Sequence, residues 1–475
     1  MNSSESNRDW CSTEFSAIDF GDKRINERFV KTAEFLSRQP TAPINKACDS
    51  WADTKAAYRL FNNEKVSGDE IFASHRQKTL ERVQGHSIIL AVQDTSLISY
   101  DTHRSTKGLG KISGSVAGDC LGLIMHTAIA VSEEGLSLGL LDQQIYSRAE
   151  LPVKQKHKRK NLAIQDKESY KWIKALEGSV VDIPKGTRVI MIGDRESDIY
   201  ELFTTANRLG AGFVVRAFQD RILQTNRSKH DEQVTVWERL NRTATSGRLK
   251  VEVVDQKTRE PRIAVVTVRH TEIKLKAPQR SQASRDKNGK LPDVTVYAIY
   301  VKEPHPPKGV EALEWMLLTN EVTLSFKDAV GRIKWYRMRW HIEVYHKVLK
   351  SGCSVEECRL ETAPRLKRFL SLKGIVAWRL YWMTHIGRSH PDLKCTTMLA
   401  EYEWKALYMK VTKSFQLPKV VPTIREAIRW IAQLGGFLAR KGDGEPGIIT
   451  VWRGWQRLTD IADAYLMFNG AKTCG

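Results

Sequence analysis

The sequence predicts a mixed α/β domain of layered strands and helices, set between two helical regions. Three observations carry that reading. Two apolar runs, SIILAVQD at Ser87–Asp94 and RVIMIGD at Arg188–Asp194, have the composition of buried strands, and each leads into an aspartate. Strand-like and helical segments alternate around them, the pattern of a layered α/β unit. Both ends of the chain carry helix-type periodicity instead.

From the N-terminus, Gly21–Arg38 and Ser50–Phe61 have helical spacing, with the breaker-rich QPTAPINK (Gln39–Lys46) between them. Arg24, Arg28, Lys31 and Arg38 decorate the first segment, either as a solvated face or as a grip on DNA. Residues 1–70 are expected to form a helical module. Ser87–Ala91 opens the first strand, which is expected to deliver Asp94 at its end. Gly122–Val131 and Leu136–Tyr146 are its expected strand partners. Lys154–Lys160 holds six Lys, Arg or His in seven positions, too charged to pack and so a surface loop. A helix at Lys167–Glu177, a strand at Arg188–Asp194, a helix in Ser197–Gly210 and a strand in Gly210–Phe218 complete the alternation.

Arg248–Val254, Arg262–Lys276, Val294–Val301 and Glu314–Thr319 then read as β segments of a β-rich insertion spanning about residues 219–325, with a second basic loop at Arg280–Lys290. Residues 71–370 are expected to form the central domain. Pro364–Ile386, Thr396–Ser414, Thr423–Leu438 and Val451–Phe468 are helical, and residues 371–475 are expected to form a C-terminal helical domain that self-associates. Its six helical tryptophans, from Trp378 to Trp455, are read as core.

The bulk numbers narrow the partner. A net charge of +20 over 475 residues, with pI near 9.6, points to a polyanion. No apolar run is long enough to span a membrane, and the polar start MNSSESNRDW lacks the apolar core of a signal peptide, which leaves nucleic acid ahead of membrane. Seven scattered cysteines, an odd number, argue for reduced thiols in a cytoplasmic compartment. Cys353 and Cys358 are the one close pair and lack a second pair at zinc spacing. No GxxxxGK[ST], GxSxG, HExxH or GxGxxG motif is present, so an ATP-driven motor has no support.

The chemistry is concentrated in Gly331–Gly352, GRIKWYRMRWHIEVYHKVLKSG. Tyr336, Arg339, Glu343, Lys347 and Lys350 stand at i, i+3, i+7, i+11 and i+14, within about 80° of one another on a single helix. Ile333, Trp340, Val344 and Val348 form the expected apolar anchor. One carboxylate among four phosphate-binding groups suggests a metal ligand beside a nucleic-acid backbone. With Asp94 and Asp194 it makes three candidate acids, a donor set suited to Mg²⁺ or Mn²⁺. Two such ions about 4 Å apart catalyse phosphoryl transfer. Glu196, Asp198 and Glu356 are weaker candidates for supporting roles.

DT at Asp94, GDRE at Asp194 and Y-x2-R-x3-E-x6-K from Tyr336 to Lys350 resemble the bacterial DDE transposases of the YREK insertion-sequence group. The resemblance extends to AYR at Ala57–Arg59, FVVR at Phe213–Arg216, PPKG at Pro306–Gly309 and LGGF at Leu434–Phe437. It implies a ribonuclease H-like catalytic domain with a β insertion, an N-terminal domain that binds transposon ends and a C-terminal dimerisation domain. It further implies that Asp94, Asp194 and Glu343 hold two Mg²⁺, and that transposition proceeds by cut-and-paste through a DNA hairpin. A flipped base would stack on Trp315, while Tyr336, Arg339, Lys347, Lys350 and Arg216 would contact the DNA end. Arg24, Arg28 and Arg59 align with end-binding residues; Gln39–Thr54 departs from the pattern, so the end sequence cannot be carried over. A structure-specific nuclease and a catalytically silent DNA-binding inhibitor form are the alternatives.

Overall fold

The computed structural model describes residues 10–103, 105–115, 118–148, 162–224, 233–254, 261–279 and 289–470. Lys154–Lys160 and most of Arg280–Lys290, the two expected basic loops, lie outside the described residues.

An N-terminal group of helices, α1 (Trp10–Glu14), α2 (Lys23–Arg38), α3 (Ile44–Ala47) and α4 (Trp51–Asn62), comes first. Asp22 and Ser50 cap α2 and α4 by accepting first-turn N–H bonds. Helix α5 (Gly68–Val83), which the sequence reading did not separate, is capped by Ser67 and leads into the sheet. Its His75 and Arg82 close around the buried Glu14 carboxylate of α1, with Arg82 bidentate at 3.0 Å. That contact ties the N-terminal helices to the sheet.

Ten strands among the described residues form one sheet: β1 (Ile88–Ser99), β2 (Gly110–Ser115), β3 (Gly118–Ser132), β4 (Ser137–Tyr146), β5 (Arg188–Gly193), β6 (Gly212–Arg216), β7 (Gly247–Val254), β8 (Pro261–Leu275), β9 (Val294–Lys302) and β10 (Glu314–Thr319). Their order is β2-β3-β1-β5-β6-β10-β9-β8-β7, with β4 also paired to β3. Strands β1, β5 and β6 are parallel, while β3 runs antiparallel beside β1 and β4 antiparallel beside β3. The β-rich segment is therefore an extension of the central sheet, joined through β10 to β6.

Side chains alternate between the faces of each strand. Leu90, Val92, Ile190, Ile192 and Val214 pack on one face, with the late helices α9 (Phe326–Arg337), α10 (Trp340–Lys347) and α11 (Ala363–Ser389). Met191, Phe213 and Val215 pack on the other with α6 (Tyr170–Val180), α7 (Tyr200–Arg208) and α8 (Val236–Arg242). Helix α11 is buried along most of its 27 residues, and its Trp378 donates to Ser137 at 3.0 Å. The expected domain division at 370/371 falls inside this helix. Three more helices complete the chain: α12 (Glu401–Thr412), α13 (Ile424–Leu434) and α14 (Ile448–Gly470). Trp378, Trp404 and Trp452 are buried, in keeping with the core reading of that aromatic set.

Two expectations are corrected. Asp94 does not end its strand: parallel pairing with β5 stops at Val92, but antiparallel pairing with β3 carries β1 on to Ser99. Gly331–Gly352 is not one straight helix. The N–H groups of Met338, Arg339, His341 and Ile342 bond three residues back, tightening the chain between α9 and α10, and a π-helical turn follows at Val348–Gly352. This bend shifts the phase of the expected stripe. Tyr336 turns into the core, while Trp340, expected to anchor it, is 39% exposed.

Candidate active site

Strand register brings the acids together. Val92 stands opposite Ile192 in the parallel pair of β1 and β5, so Asp94 and Asp194 follow at the same level. Both share strand parity with residues that face α9–α11, the side from which α10 presents Glu343. Asp194 itself caps a short 3₁₀ turn, accepting from the Glu196 N–H at 2.9 Å. The Asp94 carboxylate accepts from the Thr95 N–H at 2.7 Å, and Thr95 pairs in turn with the buried His126 at 2.9 Å.

The electrostatics register the convergence. Burial pushes the Asp94 carboxyl up to about 6, and the negative charges of Asp194 and Glu343 add to the rise. The Thr95 N–H and the Arg339 guanidinium oppose it. Arg339 lies 4.0 Å from Asp94 and pairs with Glu343. It is thus the cation that balances two of the three acids. Among the described residues no three Asp, Glu, His or Cys side chains converge closely enough to hold one ion. The donor chemistry, three carboxylates around an under-compensated negative charge, fits a hard divalent cation.

The other residues of the late-helix motif divide. Tyr336 is buried, its hydroxyl raised by burial, with the guanidiniums of Arg339 and Arg216 nearby. Its ring meets Trp315 edge-on, centroids 5.3 Å apart. Arg216 donates to the Glu314 carbonyl at 2.9 Å. Lys350 is 3.4 Å from Glu356, which also accepts from the Ser99 N–H at 2.8 Å. Lys347 is exposed and has no side-chain partner among the described residues. Asp198, a weak candidate by sequence, is a structural carboxylate: it accepts from Phe218, Gln219 and Arg221 at 2.6–3.2 Å. Glu196 is exposed and 3.5 Å from Lys171.

A cavity of about 550 Å³ opens next to Asp194 in the chain, though none of the three acids lines it. Arg195, the neighbour of Asp194, lines it together with Arg216 and Trp315, and the far parts of the wall come from Trp237, Arg262 and Val310–Leu313. Sequence reading missed Arg195 and Trp237. Arg195 lies inside the quoted GDRE motif, and Trp237 lies in a stretch to which the sequence reading gave no element, although Thr235 caps its helix by accepting from the Glu238 N–H.

On the N-terminal helices the basic residues also divide. Lys31 pairs with Asp53 at 2.7 Å, and Arg38 with Asp49 and Asp463 at 3.3 Å, so these two serve internal contacts. Arg24 is exposed and bonded to its own helix cap, Asp22, at 3.0 Å. Arg28 and Arg59 are exposed on adjacent helices.

Residues 7–66 match a family model described as transposase DNA-binding. Residues 375–470 match the transposase Tn5 dimerisation domain. The chain is similar to transposase domains at both ends, and to the Tn5 type at its C-terminal end. The DNA-binding match takes in α1–α4, with Arg24, Arg28 and Arg59; the Tn5-type match takes in α12–α14 and the last part of α11. These two regions flank the sheet that carries Asp94 and Asp194. No helix among the described residues is long and apolar enough to cross a membrane, and six cysteines there are free thiols.

Proposed function

We propose that the chain is a cut-and-paste DNA transposase whose central sheet, with Glu343 of α10, is a DDE active site. The observation that carries this reading is the shared sheet level of Asp94 and Asp194, with Glu343 near enough for its charge to raise the Asp94 carboxyl, between regions similar to a transposase DNA-binding domain and a Tn5-type dimerisation domain. The strand arrangement β4-β3-β1-β5-β6, antiparallel then parallel about β1, supports a ribonuclease H-like core, and the Tyr336–Lys350 motif supports the YREK grouping.

Asp94, Asp194 and Glu343 would hold two Mg²⁺, for which Mn²⁺ substitutes. When bound, these ions lower the barrier to attack by an oxygen nucleophile and stabilise the leaving oxygen. The rest is the work of the chain. Arg24, Arg28 and Arg59 bind the element's terminal repeats, and a homodimer holds two ends in a synaptic complex. Tyr336, Arg339, Lys347, Lys350 and Arg216 hold backbone phosphates of the end. Pairing of Arg339 with a phosphate releases Glu343. A water oxygen attacks the scissile phosphorus first, freeing a 3′-OH. That 3′-OH attacks the opposite strand to form a hairpin; a second water opens it, and the 3′-OH joins target DNA. Trp315 receives the base displaced by the tight bend.

The test uses purified protein, Mg²⁺ and a duplex carrying the element's own terminal repeats. Hairpinned ends and joined products support the proposal. Nicks alone would mark a structure-specific nuclease, and bound but intact DNA an inhibitor form.

A further inference from the structure

The cavity lined by Arg195 and Trp315 contains a second indole. Trp237 is at the start of α8, half-buried, and lines the same cavity as Trp315, Arg195 and Arg216. Its backbone N–H donates to Asp220 at 3.1 Å, and the N–H of Val236 donates to the Arg221 carbonyl at 3.0 Å. Arg221 is locked by the buried Asp198, which also holds the N–H groups of Phe218 and Gln219 at 2.8 Å. Asp198 stands four residues after Asp194, at the end of the turn that Asp194 caps. The start of α8 is thereby tied to the backbone that presents a candidate catalytic acid.

The opposite approach to the cavity is built as firmly. Glu303 binds Arg262 through both oxygens, at 2.6 and 2.8 Å, and accepts from the Leu313 N–H at 3.1 Å, which fixes the Val310–Leu313 loop against β8. Two indoles with the guanidiniums of Arg195 and Arg216, at about 550 Å³, suit a planar ring attached to an anionic backbone; Arg262 is taken by Glu303, and Glu311 and Glu314 also line the wall. Indoles stack on bases regardless of sequence, and guanidiniums bind phosphate.

We propose that Trp237 is a second stacking surface in this cavity, acting with Trp315 to hold one unpaired nucleobase of the DNA end. The inference rests on the transposase reading above and adds a positioning residue from the β-rich extension. It gives that extension a role at the active site: α8 closes the base cavity while the Asp198–Arg221 link keeps it in step with Asp194.

The test places 2-aminopurine at successive positions near the terminus of the end duplex and follows its fluorescence with full-length protein. Trp237→Phe keeps a ring, whereas Trp237→Leu keeps apolar bulk without one, so comparing the two isolates stacking from packing. The expected result is quenching at one extruded position in the wild type and in Trp237→Phe, with emission restored in Trp237→Leu. Hairpin yield in Trp237→Leu should fall about fivefold or more, the effect of losing one base–aromatic stack, with end binding in a gel shift unchanged. If Trp315→Ala restores emission while Trp237→Leu behaves as wild type, Trp237 has no part in the cavity's function. If wild-type protein forms no hairpin and quenches no position, the transposase reading itself fails.

Discussion

At the residue scale, Asp94 and Arg339 hold the site in tension. The folded Asp94 carboxyl titrates near 6, above its ordinary value, so the folded state holds a proton that the unfolded chain has already lost between about pH 4 and 6. Its charge therefore costs stability as pH rises through that window, by up to about 3 kcal/mol for a shift of this size. Without divalent ions, Asp94→Asn should be more stable than wild type above pH 6, with the gap closing as pH falls to 4; thermal melts across that range would show it, and an equal or lower melting temperature at pH 7.5 would refute it. Arg339 pairs with a Glu343 whose side chain is 55% exposed, so the pair is worth little in stability. If Glu343 is a metal ligand as proposed, Arg339→Gln should bind Mn²⁺ about a few-fold more tightly than wild type in the absence of DNA, measured by calorimetry. Unchanged affinity would mean that Arg339 does not compete for Glu343. The sequence contained the three acids and their cationic neighbours, and the i,i+4 spacing of Arg339 and Glu343 allows their pairing; the approach of Arg339 to Asp94 was not legible, because it depends on how the helix packs against β1.

At the element scale, strands β1 and β5 were legible from two apolar runs ending near aspartate, since strands buried on both faces need apolar residues throughout, whereas their parallel pairing was not read from the sequence. The continuation of β1 to Ser99 was not, because QDTSLIS is polar enough to read as a loop and is held as strand by its pairing with β3. Helix α8 and strand β2 were missed for a similar reason: each is short, and tertiary contacts maintain it. LGGF has a clear physical explanation. A Cβ at Gly435 would overlap the Thr450 carbonyl of α14, and one at Gly454 would overlap the Ile431 carbonyl of α13, so the two helices cross backbone to backbone. Gly454→Ala should separate them, costing roughly 2–4 kcal/mol by forced overpacking. Calorimetry and light scattering would detect a lower melting temperature together with weakened self-association; a variant with wild-type melting would contradict the packing described.

At the scale of the whole molecule, helices at the two ends of the chain meet each other as well as the sheet. Arg38 pairs with Asp463 of α14, and Trp455 donates to the Ser37 carbonyl at 3.3 Å, so the region similar to a DNA-binding domain rests on the region similar to a dimerisation domain. The exposed Met467 and Phe468 near the chain end, 74% and 76% accessible, are apolar surface of the kind a partner covers. The surplus of +20 is expected to show in end binding as a log–log salt slope of about −0.9 per phosphate neutralised. A flat salt response in a filter-binding titration would mean that the charge serves another purpose. The central claim is tested most directly by Glu343→Ala on an end-repeat duplex with Mg²⁺. The account predicts that this variant binds the duplex as wild type does and yields neither nick, hairpin nor joined product; normal cleavage by Glu343→Ala would remove this residue from the active site and contradict the account.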